Sequence, residues 1–491
     1  MKRLTLLLFV FVVGCGTSTP TEDGPVTSTS SQRRGEEQRE VARIEDFPDA
    51  ISVEEFPTHL ASPDKPDRVK LRGIVHDVYS TKDKSDGYKV YLRLYSPTEA
   101  PRDQWNSRGI CEMASIAELN GLCREQEVVV EGGSGGGKVR NCKVLAVGTA
   151  EELPALAPVM TTSELDDARV KLEQFNARRP EWQVKLWLDE TGLIPEKTTE
   201  WLHQSRAVRN VFVARTAKQP TIDFLATLPL LARLELSVDF NEGELDLSPL
   251  SRLQHLTSIQ ITGAGITNRH IEQLRGCKGL RNFRVSSYDC PELTGECFRE
   301  FEKQKFLRWF SFKAPIELKA ADAERLANCS RLLKIELGVN ELPPACLAKL
   351  STLPELHSLE FFGGSDPSFV TDNLAAELSR RSWPQLRTLS LWRDQFTPDG
   401  FKQLLQNPWP RLTKLELHSC NVPIQAIDLL AASPPPKLKW LMLGRSEIPM
   451  DKALRLLAIP TLTDVDLDGA SREVSEKLIE AFTDREMANQ E

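Results

Sequence analysis

The sequence predicts an α/β solenoid, with a parallel sheet on its concave face and helices on its convex face, preceded by a small all-β barrel. Three observations carry this. One apolar template recurs through the second half of the chain. Amphipathic segments of helical period follow it. The stretch ahead of the repeats alternates apolar and polar residues at period two.

The template is L-x-x-L-x-L with conservative swaps. It begins at Val208-Val211-Val213 and recurs at Leu231-Leu234-Leu236, Leu256-Ile259-Ile261, Leu280-Phe283-Val285 and Leu307-Phe310-Phe312. It continues through Leu332-Ile335-Leu337, Leu356-Leu359-Phe361, Leu386-Leu389-Leu391, Leu412-Leu415-Leu417 and Leu438-Leu441-Leu443 to Leu462-Val465-Leu467, with first members 23 to 30 residues apart. "GITNRHIEQLRGC" (265–277) and "FTPDGFKQLLQNP" (396–408) place Ile271/Leu274 and Phe401/Leu404 on one helical face. The small-residue step before each helix resembles that of helix-bearing leucine-rich repeats, and the chain is similar to that family over residues 207–491. A single strand–turn–helix unit cannot bury its own apolar face, so neighbours must stack into one core. Residues 151–206 are expected to hold a linker helix and a degenerate N-terminal cap repeat, and Val474 to Phe482 a closing helix.

Residues 60–150 read as a barrel. Strands are expected over 68–78, 88–95, 110–113, 128–130 and 139–147, with a short helix at 116–122 between the third and fourth. The order "RVKLRGIV … YKVYLRL … GICEM … LNGLCREQEVVVEGG … VRNCKVLAV" is similar to the anticodon-binding-like OB-fold family of bacterial secreted proteins. Between the last two strands lies "EGGSGGGKV" (131–139). It has the letters of a phosphate loop, but Val139 follows the lysine where Mg²⁺ binding needs Ser or Thr, and a strand follows where a helix is needed. It is read as a hairpin tip.

The N-terminus carries Lys2 and Arg3, the apolar run 4–13, then Gly14 and Cys15. This order resembles the bacterial lipobox: residues 1–14 as a signal peptide, Cys15 as the lipidated first residue, and residues 15–45 as a polar tether. The resemblance, with Gly16 after the cysteine, implies export and an outer-membrane anchor facing the periplasm or the surface.

With 62 basic and 70 acidic residues the net charge is −8, and losing residues 1–14 removes two bases and no acid. Such a chain has no bulk attraction for nucleic acid. Ten cysteines include no C-x-x-C pair, so no zinc site is expected. Outside the cytoplasm a disulfide is expected in the cluster Cys111, Cys123, Cys142, with Cys111 and Cys142 as the pair. "DVDLDG" (464–469) begins like a calcium loop, but Ser475 stands where the bidentate Glu belongs. The histidines are isolated and no nucleophile elbow occurs, so neither catalysis nor a cofactor is expected.

The repeat register places Trp309, Phe362, Trp392 and Trp440 on the concave face, with Glu336, Glu360 and Glu416 between them. These residues either contact a protein partner, pack on one another across strands, or receive the barrel. Their aromatic character favours a binding face, with the carboxylates setting specificity. The runner-up site is the barrel strand face Tyr91, Arg93 and Tyr95, a basic-aromatic strip of the kind that holds a glycan, a peptide or an oligonucleotide. The functional expectation is a membrane-anchored scaffold binding a protein partner on the concave face.

Overall fold

In a computed structural model, residues 42–488 are described outside several internal stretches, chiefly 57–66, 83–87, 96–108, 157–182 and 364–370. The expected signal peptide, the expected lipidation site Cys15 and most of the expected tether lie outside the described residues, as does most of the expected linker over 151–182.

Six strands form the first sheet: β1 (Ile51–Ser52), β2 (Arg68–Lys82), β3 (Tyr88–Tyr95), β4 (Gly109–Met113), β5 (Glu127–Gly135) and β6 (Lys138–Val147). Strands β2-β3-β4-β6-β5 close into a ring because β2 pairs with both β3 and β5. Its fifteen residues make this feasible: the first half meets β5 and the second half β3. All contacts in the ring are antiparallel except β4–β6. This is an OB-like barrel. Val69, Leu71, Val75, Leu92, Leu94, Val128 and Val130 fill it, as period-two alternation requires. The chain joins the barrel well before residue 60: Val53 and Phe56 are buried in its core, and Ala42 bridges to Ala146. The glycine loop is a hairpin, with Gly135 facing Lys138 across β5 and β6.

The second sheet has twelve strands, all parallel and in chain order: β7 (Gln183–Leu186), β8 (Asn210–Thr216), β9 (Arg233–Asp239), β10 (Ser258–Ala264), β11 (Asn282–Ser286), β12 (Trp309–Glu317), β13 (Lys334–Glu341), β14 (Ser358–Gly363), β15 (Thr388–Trp392), β16 (Lys414–His418), β17 (Trp440–Leu443) and β18 (Asp464–Leu467). Ile259, Phe283, Phe310, Ile335, Leu359, Leu389, Leu415 and Leu441 align strand by strand, so the template is the inner ladder. Each is at most 1% exposed. Burying one such side chain is worth about 2 kcal/mol. Around β12 the core is aromatic: Phe298 meets Phe310 edge-on at 5.0 Å and Phe312 at 5.1 Å.

Helical segments return each repeat on the other side. Some are α-helices, such as Pro398–Leu405, and others 3-10 helices, such as Gly295–Phe301. Buried polar side chains tie one repeat to the last. The Cys277 and Cys329 thiols donate to the Leu250 and Phe301 carbonyls, and Asn407 does the same to Leu378. Cys420 bonds the Leu391 carbonyl in its turn. A Cβ at Gly400 would lie 1.7 Å from the Asp372 carboxylate that also receives the Thr397 amide, so a side chain there would displace that carboxylate. The last helix, Arg472–Ala488, closes the core with Val474, Leu478 and Phe482.

Candidate functional site

Residues alternating with the inner ladder form three rows on the outward face of the parallel sheet. One row reads Trp309, Lys334, Ser358, Thr388, Lys414, Trp440 and Asp464 across β12 to β18. The next reads Ser311, Glu336, Glu360, Ser390, Glu416, Met442 and Asp466. The third holds Lys313, Gly338, Phe362, Trp392 and His418. The parallel register thus gathers all seven expected concave residues onto one face.

Their environments differ. Phe362, Trp392 and His418 stack across three strands, with centroids 5.2 and 3.8 Å apart. Gly338 leaves a gap beside Phe362, and the Lys313 amine crosses it to lie 4.0 Å from the ring centre. Trp309 sits between Arg284 at 4.6 Å and Lys334 at 4.8 Å, and Lys414 lies 5.2 Å from the Trp440 ring. All four expected aromatics are half-buried. The indole N–H groups of Trp309 and Trp440 find no acceptor among the described residues.

Glu336 does not offer itself to solvent. It is 3% exposed, with Lys334 at 2.8 Å, Lys313 at 3.4 Å and the Ser311 hydroxyl donating at 2.6 Å. Burial opposes its charge, but Lys334, Ser311 and Lys313 outweigh burial and hold its carboxyl below the usual range. Its role is to fix Lys334, which also reaches Glu360 at 2.6 Å. Glu360 and Glu416 are half-buried, the latter paired with Lys414 at 2.6 Å and 3.8 Å from His418.

The barrel strip is engaged internally. Tyr91 is 7% exposed, and its hydroxyl accepts from Lys138, whose amine also lies over the ring. Lys138 and Lys89 pair with Glu112. Arg93 is half-buried. Tyr95, also buried, donates its hydroxyl to Glu125. Cys111 and Cys142, the expected disulfide pair, lie together as buried free thiols on the parallel seam of the barrel. Their mutual hydrogen bond and burial push the Cys111 thiol well up.

Glu125 is the residue that sequence reasoning missed, and it joins the barrel to the sheet. It adopts φ +63°, a left-handed conformation costly for a side chain of its size. The turn is held by Glu125 N–H to the Val75 carbonyl and Val75 N–H to the Gln126 carbonyl. Its carboxylate meets Arg281 and, at 2.9 Å, Arg308, with Arg331 at 3.9 Å. Arg281 also donates to the Val75 and His76 carbonyls, and Arg124 to the His255 carbonyl. Burial resists ionisation of Glu125, but Arg281, Arg308 and the Tyr95 hydroxyl override it and hold its pKa at about 2. Among the described residues these contacts of the barrel fall on residues that precede β10 to β13, at the rim of the sheet.

No protein-family model and no curated protein matches the chain. Among solved structures, "Crystal structure of Rad7 and Elc1 complex in yeast" is 16% identical over 65% of this chain and 89% of that one, with a TM-score of 0.32.

Proposed function

We propose that this chain is a non-enzymatic interaction scaffold of the bacterial cell envelope, anchored by lipid at Cys15. On this reading its solenoid is a leucine-rich-repeat domain that binds a protein partner through the face bearing Trp309, Phe362, Trp392 and Trp440. One observation carries the reading. These aromatics stay partly exposed on a sheet face of mixed polar and charged residues, while Tyr91 and Tyr95 of the barrel are spent on internal contacts. Exposed aromatic surface is costly unless a contact covers it, and Trp and Tyr dominate binding hot spots. Glu360 and Glu416, held by Lys334 and Lys414, would set the charge pattern that the partner must match.

The alternative, ligand binding on the barrel strip, would first have to break Tyr91–Lys138 and Tyr95–Glu125. A photo-crosslinking amino acid placed at Met442 tests the proposal in intact cells. Crosslinked adducts are expected from Met442 and not from position 91; adducts from position 91 alone would favour the barrel.

Anchoring is tested separately. Cys15→Ser is expected to abolish palmitate labelling and to move the protein from the membrane pellet to the soluble fraction. Unchanged fractionation would contradict the lipid anchor.

A further inference from the structure

The rim on which the barrel sits continues past it. A backbone ladder runs from the Arg281 carbonyl to the Arg308 amide and on through Leu333, His357, Arg387, Thr413 and Lys439. Arg281, Arg308, Arg387 and Lys439 therefore occupy one register position in successive repeats. Two residues earlier in their repeats stand Arg331, Arg411 and Lys437. In the repeats of β11 to β13 these two positions supply Arg281, Arg308 and Arg331, which together clasp the Glu125 carboxylate. In the repeats of β15 to β17 they supply Arg387, Arg411, Lys437 and Lys439. Arg411, Lys437 and Lys439 are exposed, and among the described residues none of the three forms an ion pair. The field of this segment is felt nearby: burial, then Arg387 and Arg411, lower the pKa of His357 to about 4.

We propose that this second stretch of rim, around Arg411, Lys437 and Lys439, is a docking surface for an acidic segment of a partner protein. The molecule itself supplies the precedent, since the same two rows, four repeats earlier, take a carboxylate from a protein turn. Neighbouring repeats are about 4.8 Å apart along the ladder, so the cations form a close row that a run of carboxylates can lie across. A flat anionic bilayer fits less well, because the barrel stands on the same rim and would meet the bilayer first.

The test uses the full mature chain and a fluorescein-labelled (Glu-Gly)-repeat peptide, read by anisotropy. Arg411→Glu/Lys437→Glu/Lys439→Glu is expected to weaken binding at least tenfold. Arg275→Glu/Arg472→Glu/Lys477→Glu, an equal charge change on exposed residues away from the rim, is expected to leave it unchanged. Equal loss in both variants, or no peptide binding by the wild type, would overturn the proposal. So would binding to phosphatidylglycerol vesicles, lost in the rim variant, without binding to the peptide; that outcome would assign the rim to lipid.

Discussion

Glu125→Ala is expected to release the barrel from the parallel sheet. The substitution leaves Arg281 and Arg308, 6% and 3% exposed, buried beside one another without their anion. Removing one member of a buried ion cluster costs about 3–5 kcal/mol, because the remaining charges stay desolvated. The variant should show an early unfolding transition in urea and new proteolytic cuts in the barrel, while the repeats unfold much as before. Adding Arg281→Met and Arg308→Met should recover much of the loss, since apolar replacements need no counter-charge. The same carboxylate predicts an acid limit. Its pKa falls from 4.5 to about 2 on folding, so its contribution is complete above about pH 4.5 and fades as pH falls towards 2. A fall of that size corresponds to about 3 kcal/mol. Docking should hold constant from pH 7 to 5 and weaken below that. A barrel that stays protected from protease in Glu125→Ala would refute this account of the joint.

Phe310→Ala is the other large effect. Phe310 is fully buried and packs against Phe283, Phe298, Phe301 and Phe312. Phe→Ala in a core costs about 3–5 kcal/mol through lost transfer energy and the cavity left behind. Contacts in a solenoid are to nearest neighbours, so the loss should divide it. Hydrogen exchange should speed up most in β11 to β13 and least in β17 and β18. A uniform rise along the sheet would contradict nearest-neighbour coupling.

Much of the architecture was legible because it is periodic. The apolar template fixes which residues face inward, and a parallel ladder then aligns equivalent positions, so the outward rows follow by arithmetic. The barrel strands were legible for the same reason, at period two. The joint was not. In "LNGLCREQEVVV" Glu125 looks like any charge in a polar turn, and its partners Arg281 and Arg308 lie 156 and 183 residues away. Its left-handed φ has no signature in a glutamate. One signal was present: an arginine follows the first ladder leucine in Leu280-Arg281 and again in Leu307-Arg308. A charge repeated at one register position marks a row of cations, but not which of them are buried, since Lys439 stands in the same row and is exposed. Because that signal was missed, Tyr95 read as part of an open strip when it is sealed under the rim. Glu336 read as exposed for a related reason: alternation gives the face a side chain points to, but not how far neighbouring lysines cover it.

The binding reading stands on the aromatic rows, and the most direct test is the affinity of a crosslink-identified partner for Trp392→Ala/Trp440→Ala. Truncating hot-spot tryptophans costs about 2 kcal/mol or more each, so titration calorimetry should show at least a hundredfold loss, with Tyr91→Ala binding as the wild type does. Wild-type affinity in the double variant, with binding abolished by Tyr91→Ala, would contradict the account and assign recognition to the barrel.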